Sequence, residues 1–279
     1  MKKYLIGIAF ALFVLIDISV LLYPTVSNYF NSRNQSKVMS KYLDDVANTS
    51  EEDAVRMLKE ARDYNERLLM KSDRFRFTKE ELNEYNGMLS SESGVMGILM
   101  IDKIETKLPI YHGTDESVLQ VGLGHMEGTS LPVGGKGTHS FITGHRGLPS
   151  SKLLSNLDEV AEGDLFMIYV LGEVLTYKVD EIRTVEPEEV GSTGIEPEQD
   201  FVTMVTCTPY GVNSHRLLVR GHRIENNADS SWERPYAEAK VPDKFSIILI
   251  FIVPVLLILI IYLVIKCIKI HKEGGKNRQ

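Results

Sequence analysis

The sequence predicts a mainly β exterior domain, a closed barrel or sandwich, preceded by a helical segment and held between two membrane-spanning helices. Three observations carry this. Two long apolar runs lie near the ends of the 279-residue chain. Charged, helix-period sequence with capping signals follows the first of them. Beyond Gly94 the pattern changes to at least seven short β-rich runs, punctuated by glycine and proline, within about 130 residues. The bulk numbers narrow the classes further. With 43% hydrophobic and 25% charged residues the chain suits a folded protein. A net charge of −7 disfavours a nucleic-acid partner, and two cysteines are too few for a disulfide scaffold or a Cys-rich zinc module.

The elements follow in order. Residues 5–23 are nearly all apolar, with Asp17 the one charge, and are about long enough to cross a hydrocarbon core of roughly 30 Å. This makes residues 1–24 a membrane anchor; a cleaved secretory signal is the alternative, although the run is long for one and no clean cleavage site follows. Residues 25–90 form a helical segment. Val38, Tyr42, Val46, Val55, Leu58, Tyr64 and Leu68 recur at spacings that predict helices over 34–47 and 51–70. Ser50 followed by Glu51, Glu52 and Asp53 is a helix start, and Thr78 with Glu81 opens a short helix to Gly87.

Residues 91–226 hold the β-rich runs: 95–101, 107–111, 138–143, 165–170, 174–185, 201–206 and 217–224, with a helical insert over 150–157. A polar linker, 227–244, leads to the uncharged apolar run 245–265, in which Pro254 is tolerable as a membrane-helix kink. Trp232 and Tyr236 in the linker suit a membrane interface. The tail 266–279 is basic, with Lys266, Lys269, Lys272, Lys276 and Arg278, and Lys2 and Lys3 flank the first run. The positive-inside rule then places both termini in the cytoplasm and the middle of the chain outside. That exterior part holds 24 basic and 36 acidic residues, a net of about −12.

This topology separates the cysteines. Cys207 is exterior and Cys267 sits at the cytoplasmic mouth of the second span, so they do not pair. A lone exterior thiol is either a small buried hydrophobe or a reactive group. The run 201–207 reads as a strand ending at Cys207, residues 208–213 are turn formers, and Leu217 begins the next strand. Paired as a hairpin, these strands set Arg216 opposite Cys207, where a guanidinium stabilises negative charge; a solvated rim charge is the plainer alternative. A cysteine nucleophile needs an imidazole to exchange protons with a leaving amine. Of the seven histidines, His145 stands out between Gly144 and Gly147 at a strand end, although His112, His125, His139, His215 and His222 share parts of that description.

The pairing of Thr-Gly-His-Arg-Gly (143–147) with Thr-Met-Val-Thr-Cys-Thr-Pro-Tyr-Gly-Val-Asn-Ser-His-Arg (203–216) resembles the sortase family, and most closely its class C, the pilus-assembling sortases of Gram-positive bacteria. Residues 108–113, 124–134 and 216–221 follow the same pattern, so the resemblance covers about 95–224. It implies an eight-stranded β-barrel and a transpeptidase that cleaves an LPxTG-like sorting signal after Thr through a thioester. A pilin lysine amine then resolves the thioester. Carried over by position, it implies Cys207 as nucleophile, His145 as general acid/base, Arg216 as oxyanion or substrate-positioning cation, and Thr206 as a substrate-binding position. It also implies a lid over 72–77 in which Asp73 meets the arginine and Phe75 covers the cysteine. Here Arg74 stands where class C enzymes carry a proline that would pre-set the turn.

Near alternatives differ in the second nucleophile: a cell-wall precursor amine for a housekeeping enzyme, or water for a surface thiol peptidase. A non-catalytic ectodomain is the reading in which Cys207 is buried and inert. No cofactor is expected, and no loop has the regular oxygen-ligand spacing of a calcium site.

Overall fold

The computed structural model describes residues 2–192, 194–226, Leu256 and Lys266. The linker, the basic tail apart from Lys266 and the second apolar run apart from Leu256, with Trp232, Tyr236, Pro254 and Cys267, lie outside the described residues. The chain divides into two units, 1–30 with 240–279, and 31–239, and the chemistry concerns the second.

Helix α1 (Lys2–Asn48) is continuous through Pro24, so the expected separate helix at 34–47 is its last part. A proline removes one backbone donor, which a long apolar helix tolerates. The stretch Phe13–Asn48 contains a window of mean hydropathy 1.4 and is long and apolar enough to cross a membrane. Phe13, Ile16, Val20 and Leu21 on it are all more than half exposed, as side chains that meet lipid would be.

Eight strands close a barrel. They are β1 (Val95–Ile101), β2 (Thr106–His112), β3 (Leu123–His125), β4 (Thr138–Thr143), β5 (Leu165–Val170), β6 (Glu173–Val185), β7 (Asp200–Thr208) and β8 (His215–Ile224). Around the barrel the order is β1-β2-β3-β4-β7-β8-β6-β5. The β2–β3 and β4–β7 pairs are parallel, and β7–β8 is an antiparallel hairpin. Every position of β1 is buried. Its Met96, Leu99 and Ile101 join the main core, while Val95, Ile98 and Met100 are covered by Met39, Tyr42 and Leu43 of α1. A strand dry on both faces reads as an unbroken apolar run rather than an alternation.

Helix α2 (Glu51–Met70) starts at Ser50, whose hydroxyl accepts the Asp53 N–H at 3.1 Å. It buries Leu58, Ala61, Tyr64 and Leu68 against the barrel core, and Asn65 exchanges two hydrogen bonds with the Leu131 backbone. Helix α3 (Lys79–Gly87) opens with the reciprocal Thr78–Glu81 capping box.

The expected helix at 150–157 is not formed. The segment is a series of turns ending in one 3-10 turn, Leu157–Glu159. Its Leu153, Leu154 and Leu157 are buried, which mimics a helix stripe, but the Leu154 N–H bonds back to the His145 carbonyl at 3.2 Å rather than continuing a helix. Two short elements escaped prediction: strand β3 and helix α4 (Glu116–Leu119), which carries the parallel crossover between β2 and β3.

Two histidines are structural. The buried His125 donates from Nε2 to the Ser130 carbonyl (2.8 Å) and accepts at Nδ1 from the Tyr85 hydroxyl (2.9 Å). His139 donates from Nδ1 to Gly194 O (3.1 Å) and accepts at Nε2 from Thr203 (2.7 Å). Burial pushes each from 6.5 down to about 4. Both are therefore neutral in the fold at pH 7 but protonate near 6.5 once unfolded, so the unfolded chain binds more protons between those limits. Their contribution is fully present above pH 6.5 and is lost as pH falls toward 4, at about 3 kcal/mol each. Asp200, whose carboxyl burial raises, acts in the opposite sense as it takes up a proton. The urea midpoint of the chain in detergent is expected to drop steeply between pH 6.5 and 4. A flat profile would contradict this assignment.

Candidate active site

The strand ladders bring the three predicted site residues to neighbouring strand ends. Strand β7 is flanked by β4 on one side and β8 on the other. In the β7–β8 ladder Cys207 pairs with Arg216. In the parallel β4–β7 ladder Thr143 pairs with Val205, and the Gly144 N–H still bonds the Val205 carbonyl at 3.0 Å. The chain then delivers His145, two residues past Thr143, to the level of Cys207, two residues past Val205. Imidazole, thiol and guanidinium thus occupy three neighbouring strand ends. Each is partly exposed, and Cys207 is a free thiol.

Side-chain alternation fixes the face. Met204 and Val202 point into the main core, whereas Val205, with Phe141 of β4 and Leu218 of β8, belongs to a separate small apolar cluster on the outer face. Val190, from the 3-10 turn Pro187–Ser192, and the partly buried Met126 and Val185 complete it. Cys207 shares the face of Val205, at the end of this apolar floor. Thr206 faces the other way. It is 1% exposed and its hydroxyl donates to the Gly144 carbonyl at 2.7 Å, tying the His145 strand end to the Cys207 strand.

Gly144 is required by space. A Cβ there would lie 2.6 Å from Leu123 Cδ2 and 2.9 Å from Leu154 Cδ1, both fully buried side chains. Gly147 is required by conformation, with φ +72°, and by the Tyr210 ring, 3.0 Å from a Cβ at that point.

Arg146, which sequence reasoning passed over, joins the two loops bordering the site. Its side chain is only 8% exposed, pairs with Asp158 at 2.5 Å and donates to the Thr208 hydroxyl at 3.2 Å. Glu116, also missed, lies at the start of α4 with its carboxylate oxygens 3.3 and 3.4 Å from His145 Nε2. Glu116 is 29 residues from His145 in sequence, and no spacing rule links them.

The 72–77 segment lies against the outer face. The Phe75 ring sits beside Gly128 and Gly191: a Cβ on Gly128 would be 2.7 Å from Phe75 Cδ1, and one on Gly191 would be 3.6 Å from the ring. Arg74 lies 5.4 Å from the Phe75 ring centroid, and its carbonyl also abuts Gly128. Phe75 as a whole stays 45% exposed. Among the described residues neither Asp73 nor Arg216 makes an ion pair. Arg216 donates instead to the carbonyls of Asn213 (3.2 Å) and His215 (3.1 Å). No cluster of three metal-ligating side chains occurs among the described residues.

A thiol at the centre of a strand triplet, with an imidazole on one side and a guanidinium on the other, has the parts for nucleophilic acyl chemistry: nucleophile, proton carrier and oxyanion partner. Comparisons with known proteins identify the family. A sortase domain model matches residues 99–224. Sortase C1 of Streptococcus agalactiae is 46% identical with a TM-score of 0.65, the match covering 68% of this chain and 100% of that structure. A Clostridium perfringens sortase C, solved with the C-terminal cell wall sorting motif, is 38% identical with a TM-score of 0.61, covering 68% of this chain and 99% of that one. Sortase D of Bacillus subtilis is 26% identical over 131 residues, covering 46% of this chain and 63% of that protein, so the chain spans less than two thirds of this curated relative. The chain belongs to the sortase family.

Proposed function

We propose that the chain is a membrane-anchored cysteine transpeptidase of the class C type, which cleaves an LPxTG-like sorting signal after Thr and passes the acyl group to a pilin lysine. The observation that carries this is the Cys207–His145–Arg216 row across three adjacent strand ends. The sorting motif in the Clostridium perfringens neighbour supports the substrate class.

In this reading His145 takes the thiol proton of Cys207 as the sulfur attacks the threonine carbonyl, and Arg216 donates to the oxygen that becomes negative. His145 hands a proton to the departing glycine amine, the C–N bond breaks and a thioester remains. The neutral lysine amine then attacks the thioester, His145 takes up its proton, and the sulfur leaves as the isopeptide bond forms and regains that proton from His145. Thr206 acts by holding the Gly144–His145 backbone against β7. The outer apolar floor below Cys207 receives the Leu-Pro part of the signal, and the 72–77 segment, through Phe75 beside Gly128 and Gly191, is its cover. The basic flanks at both ends support a catalytic domain outside the membrane with both termini in the cytoplasm.

The test is the fate of the acyl group. The full chain in detergent, given a sorting-signal peptide and a pilin domain bearing a lysine acceptor, is expected to yield the amide-linked product and free glycine-initiated peptide. Cleavage at the same rate without the amine, giving only the carboxylic acid, would identify a thiol peptidase. Transfer to a cell-wall precursor amine but not to pilin would identify a housekeeping enzyme.

A further inference from the structure

The strand order around the barrel is β3-β4-β7-β8, and helix α4 immediately precedes β3 in the crossover from β2. Helix α4 packs on β3: a Cβ on Gly124 would lie 3.1 Å from Leu119 Cδ2. Glu116 therefore approaches His145 from the side of β4 away from β7. Carboxylate, imidazole, thiol and guanidinium follow one another along the same rim. The carboxylate oxygens stand 3.3 and 3.4 Å from Nε2, and both ring contacts use that one nitrogen. Glu116 is itself held, since the Gln120 amide one turn on donates to Oε1.

We propose that Glu116 is a positioning residue for the transfer reaction: it accepts the His145 Nε2–H, fixing the tautomer and the ring rotation so that Nδ1 is the nitrogen offered to Cys207. The proposal rests on the reading of His145 as the proton carrier of Cys207. A neutral imidazole carries its proton on one nitrogen only, and the hydrogen bond made by that nitrogen decides which. With Nε2–H held by a carboxylate, the lone pair is at Nδ1. Without the carboxylate both tautomers and both ring flips are open, and only part of the population presents a base to the thiol. The Glu116 carboxyl is lowered from its ordinary range, first by the Gln120 hydrogen bond and further by His145, so it remains an acceptor through neutral pH. The other charged groups bordering the site serve different partners. Arg146 is paired with Asp158, and Arg216 lies beyond Cys207.

The readout is the alkylation rate of Cys207 by iodoacetamide, followed on the Cys207 peptide by mass spectrometry. It uses the full chain in detergent near neutral pH and needs no knowledge of the substrate. Glu116→Ala is expected to slow alkylation about two- to fivefold, the size of one exposed charged contact. Glu116→Gln, whose amide oxygen accepts the same N–H, is expected to restore it to within about twofold. An exposed residue on a one-turn helix should change the melting temperature little in either variant. If His145→Gln slows alkylation while Glu116→Ala does not, the positioning role is wrong and the role of His145 stands. If Glu116→Gln is as slow as Glu116→Ala, the hydrogen-bond account is wrong. If His145→Gln leaves the rate unchanged, the role of His145 fails and the positioning role falls with it.

Discussion

Replacing Cys207 with Ala is expected to abolish both cleavage and transfer, because Cys207 is the only cysteine among the described residues. The hydroxyl of Thr206 is buried and committed to the Gly144 carbonyl. Thr208, the residue after Cys207, receives a hydrogen bond from Arg146. The loss should therefore be complete to the limit of detection, with peptide binding retained and the fold unchanged, since a partly exposed Sγ is removed and no packed core atom. Two measurements check this: product formation from a sorting-signal peptide, and covalent pilin ladders on cells lacking other sortases. Ladders that persist in cells carrying only the Cys207→Ala chain would overturn the proposed function.

The second large effect is expected at His145. His145→Gln keeps a polar side chain of similar reach but cannot shuttle a proton between thiol and amine, and should lower kcat/KM by about 100- to 10,000-fold, the usual range for general acid–base catalysis. An acceptor with a weakly basic amine, already deprotonated at the working pH, should lose less at the transfer step than lysine does. That difference separates loss of a proton carrier from collapse of the site. Equal losses for all amines, with a lowered melting temperature, would point to a structural role instead.

How far the sequence carries is clear from particular elements. The hairpin argument that sets Arg216 opposite Cys207 needs only local information: a strand, a turn-rich stretch and a second strand, and the ladder pairs those two residues. Strands β1, β4 and β5 were legible to the residue because long apolar or alternating runs end at glycine or polar breaks. Strand β3, with three residues, and α4, with four, are shorter than any period and could not be read. The 150–157 stretch misled because a buried turn and a helix both place leucines three to four apart. Glu116 was invisible for a related reason. Its contact with His145 is produced by the crossover between β2 and β3, a fact of topology that no local motif contains. The Phe75 seat is similar, made by two glycines from loops that meet only in the folded chain.

The parallel pairing of β4 with β7 also bears on when the site comes into being. Arg216 is nine residues from Cys207 and arrives with a hairpin, whose short loop closes at little entropic cost. His145 arrives from 62 residues away, the separation already spanned by the Thr206–Gly144 hydrogen bond, and across a parallel ladder between strands distant in sequence. A folding chain thus sets its thiol beside a cation through a local pairing and meets the imidazole only through a long-range one. Pairing of β4 with β7 is then the step that completes the Cys207–His145–Arg216 row, and a copy in which only the hairpin has formed holds two of its three members.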